Sequence, residues 1–434
     1  MSEPQEASTP EETAPDETPE PAPLLELRDG LTGVVDDDER LAESVAAFAA
    51  ASGPVAIDAE RASGYRYTAR AYLVQLRREG AGTALIDPVP FENLDSLQAA
   101  LDGTEWILHA ASQDLPCLTE LGLRPAALFD TELAGRLLGY PRVGLATLVE
   151  TILGRSMRKE HSAVDWSTRP LPQPWLEYAA LDVEVLIELR EALGAELESS
   201  GKAEWAKQEF EHLINAAPGG PKPDPWRRTS GLHRVRGRRS LAAVRALWEA
   251  RDTIAQQRDV TPGRIIPDSA IVEAANALPK DKPSLLGLQG FHGRGAERYA
   301  NSWVGALRDA RALPDEELPQ LAARYDGPPP PRTWADKDPV AAARLSHARA
   351  AMATLSEELQ VPTENILSPD LVRRVTWEPP EGEESLADRL AERLTSMGAR
   401  QWQVELTSEL LVAAIEAAPE AVADTAAEAD PEAT

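Results

Sequence analysis

The sequence predicts an α/β body followed by two small all-α segments, and three observations carry that reading. Short apolar runs bounded by Gly, Pro or charge alternate with helical stretches over roughly the first half of the chain. Beyond residue 240 the strand-like runs stop and only helical periodicity remains. Two stretches that break any helix or strand, AAPGGPKPDP at 216–225 and DGPPPP at 326–331, separate the parts. A length of 434 residues agrees with several domains, and 43% hydrophobic with 27% charged residues is a globular mix.

Taken in order, residues 1–23 are Pro, Glu, Thr and Ala with almost nothing to bury, and read as a disordered acidic tail. The body, 24–215, opens with a helix that Asp38 can cap, with Leu41, Val45, Phe48 and Ala49 on its apolar face and Gly53 after its end. Strands follow at Val55–Asp58, Tyr72–Leu76, Ala84–Ile86 and Trp106–His109, interleaved with helices near 92–101, 131–139 and 175–193. A linker at 216–232 leads to a helical segment at 233–312, where Leu241, Val244, Leu247, Trp248 and Ile254 form a stripe and shorter helices follow Pro267 and Arg294. A Pro-rich linker at 313–337 precedes a second helical segment at 338–416 of similar outline. Residues 417–434 return to acidic, disordered composition.

Charge and cysteine usage narrow the function. The formal charge is −28, but residues 1–40 contribute −11 and residues 411–434 contribute −6, which leaves −11 for the middle. Within that middle, Arg227, Arg228, Arg234, Arg236, Arg238, Arg239 and Arg245 occur with no acid among them, a local stretch suited to phosphate. Lysine supplies only 7 of the 44 basic residues, a skew that most simply reflects a GC-rich genome. Cys117 is the single cysteine, which excludes a disulfide framework and a thiolate zinc site and makes a reducing cytoplasm the expected compartment. No apolar run of about 18 residues occurs and the N-terminus is acidic, so a soluble, unexported protein is expected.

The chemistry is concentrated in acids. Asp58 and Glu60 leave a strand end at i and i+2, on one face. Two carboxylates held together repel unless a divalent cation neutralises them, and an oxygen-only ligand set suits Mg²⁺ or Mn²⁺. Asp114, in HAASQDL, lies just beyond another strand at the start of a helix. Tyr178 and Asp182 stand four residues apart on one helical face. Four acids and a phenol, in the order D-x-E, H-x4-D, Y-x3-D, form the set a two-metal phosphodiesterase needs.

These motifs resemble the DEDD 3′-to-5′ exonucleases in their tyrosine-bearing ribonuclease D branch. The phrases DAERASGYRY, AYLVQLRREG, HAASQDLPCL, FDTELAGRLLG, HSAVDWSTRPLP and YAALDVEVLIELR are similar to the catalytic domain of that branch, in order. Residues 240–310, with PGRIIPD and GFHGRGAERY, resemble a helicase-and-RNase-D C-terminal (HRDC) domain, and 339–416 resemble a second, weaker copy. The resemblance implies a ribonuclease H-like exonuclease domain and two HRDC-type bundles. It implies that Asp58, Glu60 and Asp182 hold one metal ion, that Asp58 bridges to a second supported by Asp114, and that Tyr178 positions the attacking water. The 3′-hydroxyl is expected near Glu60, and the products would be nucleoside 5′-monophosphates.

Other residues receive quieter readings. Asp87 and Asp130 fit turn and N-cap roles, His109 a structural hydrogen bond, and Cys117 a buried apolar position. Arg169, in a Pro-rich loop before the Tyr178 helix, is a candidate for a substrate phosphate. The helical segments lack clustered carboxylates and should bind rather than cut. The expected enzyme is a monomeric, cytoplasmic exoribonuclease that uses two Mg²⁺ or Mn²⁺ ions to trim RNA 3′ ends, tRNA precursors included. A DNA exonuclease and an RNA-binding scaffold with an inactive site are the competing readings; the intact set of acids speaks against the latter.

Overall fold

The computed structural model describes residues 22–158, 163–216, 223–321 and 327–419. The two acidic tails fall almost wholly outside those residues, as do parts of both linkers and His161.

The body is built on six strands: β1 (Val34–Val35), β2 (Val55–Arg61), β3 (Ala71–Arg78), β4 (Gly82–Ile86), β5 (Glu105–Leu108) and β6 (Ala127–Asp130). Their order across the sheet is β1-β4-β3-β2-β5-β6. Strands β2, β3 and β4 pair antiparallel, while β5 and β6 extend the sheet in parallel from β2. This is the mixed, ribonuclease H-like sheet that the resemblance implies. All eight residues of β3 are buried, so it reads as a continuous run rather than an alternating one. Burying Arg77 and Arg78 within it requires partners. Arg78 donates to the Phe48 and Gly53 carbonyls, and Arg77 pairs with Asp29 and Glu184.

Eight helices surround the sheet: α1 (Asp38–Ala50), α2 (Asp95–Leu101), α3 (Leu115–Glu120), α4 (Thr131–Leu137), α5 (Leu145–Leu148), α6 (Gln173–Glu184), α7 (Leu186–Ser199) and α8 (Ala203–Asn215). Several local expectations shift. The cap of α1 is Asp37, whose carboxylate accepts from Arg40 N, and Ala49 is exposed rather than on the buried face. Asp38 is simply the first helical residue. The stretch expected as one helix over 175–193 is two, broken at Val185 and extended to Ser199. Sequence reasoning did not anticipate strand β1, of two residues, or β6, which runs directly into α4.

The remaining helices form two modules. The first contains α9 (Arg238–Arg258), α10 (Pro262–Ile265), α11 (Asp268–Ala277), α12 (Lys282–Leu286), α13 (Arg294–Arg298) and α14 (Ala300–Ala312). It packs on a core of its own around Leu247, Phe291 and Trp303. The second contains α15 (Trp334–Lys337), α16 (Pro339–Leu359), α17 (Thr363–Ile366), α18 (Pro369–Trp377), α19 (Leu386–Ser396) and α20 (Gln401–Glu416). Its core is continuous with that of the body. Trp205 of α8 stacks on Trp402 of α20 with ring centroids 4.9 Å apart. The Lys202 ammonium donates to the carbonyls of Leu137 and Leu359, one on each side of the junction. Gly139, at φ +84°, lies so close to the Gln360 carbonyl that a Cβ there would collide with it.

Candidate active site

Strand β2 crosses the core with Val55, Ala56 and Ile57 fully buried and carries Asp58 and Glu60 out at its far end. Helix α6 packs over β2, β3 and β4. Pro174 in its first turn suits a helix start, and the i, i+4 spacing puts Tyr178 and Asp182 on the face turned to β2. Carboxylate oxygens of Asp58, Glu60 and Asp182 thereby come within 4.8 Å of one another. Asp114 enters from the turn between β5 and α3 and lines the same cavity, of about 260 Å³, together with Tyr178 and His109. That turn is shaped by Asp130, which caps α4 through Glu132 N and Leu133 N and also accepts from the amides of Ala110 and Ala111. Ala110 takes a left-handed conformation, at φ +59°, that the Asp130 hydrogen bonds hold. The expected N-cap role of Asp130 is thus half of what it does.

The electrostatics are those of crowded acids with too little positive charge. Burial first, then the charges of Asp58, Asp182 and Asp114, push Glu60 up to about 10. Burial and then Asp58 push Asp114 up to about 8, against the opposing pull of Arg61. Burial raises Asp58 as well, and burial followed by Asp58 raises Asp182, while a hydrogen bond from the Tyr178 hydroxyl partly relieves Asp182. Burial and the surrounding carboxylates raise Tyr178 above the ordinary phenol range, so it remains a proton donor at neutral pH. A partly buried oxygen-only donor set of this kind fits divalent cations, which would release the held protons on binding.

The quieter residues are also placed. His109 Nδ1 lies 2.9 Å from Thr131 Oγ1, and burial lowers its pKa to about 4, so the ring is neutral. Burial pushes the Cys117 thiol up to about 12, and its Sγ donates to the Asp114 carbonyl. The structure departs from expectation at Arg169. Its five N–H groups go to Asp87 twice and to the carbonyls of Tyr72, Trp166 and Thr168, which leaves none for a substrate phosphate. Asp87 accordingly does more than turn the chain at Val89, because it anchors that guanidinium. Part of the arginine stretch is structural too: Arg227, Arg238 and Arg239 donate to carbonyls at 310–320. Sequence reasoning missed Arg61, whose Nη2 stands 3.2 Å from Asp114 Oδ1. A cation directly after a D-x-E pair was the available signal.

Comparison with known proteins adds to this geometry. Residues 33–198 match the family model described as 3′-5′ exonuclease, 240–307 the HRDC domain, and 327–415 the 3′ to 5′ exonuclease C-terminal domain. The chain is 32% identical over 367 residues to a ribonuclease D of Gluconacetobacter diazotrophicus, covering 83% of this chain and 87% of that one. Its fold superposes on a crystal structure of a protein from Bifidobacterium adolescentis with a TM-score of 0.83 at 37% identity, over 91% of this chain and all of that one. It also superposes on Escherichia coli RNase D, described as an exoribonuclease involved in structured RNA processing, with a TM-score of 0.65 at 25% identity over 88% and 98%.

Proposed function

The chain belongs to the ribonuclease D family and is a 3′-5′ exoribonuclease, and on that premise we propose that it trims the 3′ ends of structured RNA, tRNA precursors among them, one nucleoside 5′-monophosphate at a time. The observation that carries the assignment of the site is the convergence of Asp58, Glu60 and Asp182 within 4.8 Å beside Asp114 and Tyr178. Asp58, Glu60 and Asp182 would hold one divalent ion, and Asp58 with Asp114 a second, either Mg²⁺ or Mn²⁺. When bound, such a pair supplies Lewis-acid stabilisation to the attacking and leaving oxygens of an in-line displacement.

The protein's own groups do the rest. Glu60, at the strand end facing the cleft, is suited to accept the hydrogen bond of the terminal 3′-hydroxyl and so to select a free end. The Tyr178 hydroxyl, on the same face as Asp182, is placed to orient a water molecule. Its raised pKa makes it a poor base, so positioning rather than proton abstraction is its contribution. Asp130 keeps Asp114 directed into the cleft by bracing the Ala110–Ala111 turn. The clustered carboxylates come from one chain, so the site needs no second copy, and the reading is of a monomer acting in the cytoplasm. Among the described residues no helix is long and apolar enough to cross a membrane.

The test is one assay of the purified protein on matched 3′-labelled RNA and DNA, with Mg²⁺ and then Mn²⁺, and on a hairpin RNA with a short 3′ overhang. Labelled nucleoside 5′-monophosphate should appear from RNA first, and the overhang should be shortened stepwise. Release of 3′-monophosphates or internal cuts would overturn the assignment of the site.

A further inference from the structure

Among the described residues the cleft contains one cationic side chain. Arg61 follows Glu60 where the pairing of β2 with β3 loses its register, an irregularity that frees a side chain from strict alternation. Among the residues lining the catalytic cavity it is the only Arg or Lys, and His109 there is neutral. A second cavity of about 320 Å³ opens alongside, walled by Ser63, Gly64 and Tyr65, and among the described residues Arg61 is its only cationic lining residue as well. The guanidinium therefore stands between the two spaces with its side chain 27% exposed. Its ion partner is the single Asp114 oxygen, in contrast to the five bonded donors of Arg169.

An RNA strand entering this cleft brings further negative charge to four carboxylates. A divalent ion held by Asp114 would compete with the guanidinium for the carboxylate and repel it, and a half-buried arginine without that partner would need another anion. We propose that Arg61 is a phosphate-binding residue with two partners in turn: Asp114 while the site holds no divalent ion, and a phosphate of the RNA once an ion occupies Asp114. This assignment rests on the exoribonuclease reading. It gives the phosphate contact that sequence reasoning looked for at Arg169 to a residue on the metal-binding strand itself.

The two partners make opposite predictions for one substitution. In full-length protein without RNA, Arg61→Gln should bind Mn²⁺ at its weaker site roughly three- to tenfold more tightly by titration calorimetry, since a competing cation is gone. The same variant should bind a single-stranded RNA more weakly in Ca²⁺, with the RNA recovered intact as the control. Its slope of log K against log salt should fall by about 0.7, the value for one phosphate contact. Arg61→Met, which keeps the apolar stem, provides the same two readings if the Gln variant does not fold. Unchanged Mn²⁺ affinity or an unchanged salt slope overturns the proposal. If the wild type itself neither binds Mn²⁺ nor shortens RNA from its 3′ end, it is the exoribonuclease reading that fails instead.

Discussion

Two groups of acids lie around one sheet and behave as opposites. Asp87 and Asp130 are matched by donors, Arg169 and Val89 N for the first and four backbone amides for the second, while Glu184 is ion-paired with Arg28 and Arg77 although its Oε2 accepts no hydrogen bond. Asp58, Glu60, Asp114 and Asp182 share Arg61, the Tyr178 hydroxyl and the Ala59 amide among the four of them. The difference teaches where this fold keeps architecture and where it keeps function. A buried charge with matching partners holds loops in place, whereas a crowd of under-compensated carboxylates is costly to fold around and fits the binding of divalent cations.

The sharpest way to break this contrast is to remove one acid from each group. Asp58→Ala or Asp182→Asn should lower nuclease activity by at least about 100-fold, since several kcal/mol of transition-state stabilisation is forfeited. The metal-free melting temperature of either variant should hold or rise. Asp87→Ala should do the reverse, costing about 3 kcal/mol of stability by stranding Arg169, with activity following the folded fraction. Denaturant unfolding and single-turnover rates measured on both variants decide the matter. If the Asp58 variant unfolds and the Asp87 variant does not, the division between the groups is mistaken.

A smaller effect separates holding metal from positioning water. Tyr178→Phe should reduce the rate by roughly 100-fold, within the range for positioned proton-transfer groups. Calorimetric Mn²⁺ binding should survive. Wild-type turnover would reduce Tyr178 to a packing residue against Leu176 and its neighbours.

The gentlest test is pH. In the metal-free folded protein Glu60 and Asp114 titrate near 10 and 8, against ordinary values of 4.5 and 3.8. Between those limits the folded state binds more protons than the unfolded chain, so stability must fall as pH rises through that window. Melting temperature in EDTA should therefore decline from pH 5 to pH 9, and saturating Mg²⁺ should flatten or reverse the decline. A flat profile in EDTA would mean that the cluster carries no such strain.

Spacing made the clustered acids legible before any fold was known. Residues at i and i+2 on a strand share a face, as do residues at i and i+4 on a helix, so Asp58 with Glu60 and Tyr178 with Asp182 were already paired. The alternation of short apolar runs with helices carried the α/β class, and the change to helical period after residue 240 carried the two modules. Local signals were weaker at ends. Asp37 rather than Asp38 caps α1, the two-residue β1 is too short for a period, and β6 is masked by the helix signal that begins at its last residue, the N-cap Asp130.

What the sequence by itself determined, then, is which residue types share a face and which segments can bury one. Only tertiary structure decided the partners. Arg169 and Arg61 look alike in a linear chain, but Asp87, 82 positions away, takes the first and the mouth of the cleft receives the second. Likewise nothing local distinguishes a helical module with its own core from one whose core runs into the body through Trp205 and Trp402. The physical reason is common to both. Dihedral preference and side-chain period act over a few residues, while ion pairing and apolar burial depend on which distant surfaces meet, and that is settled by the packing of the whole chain.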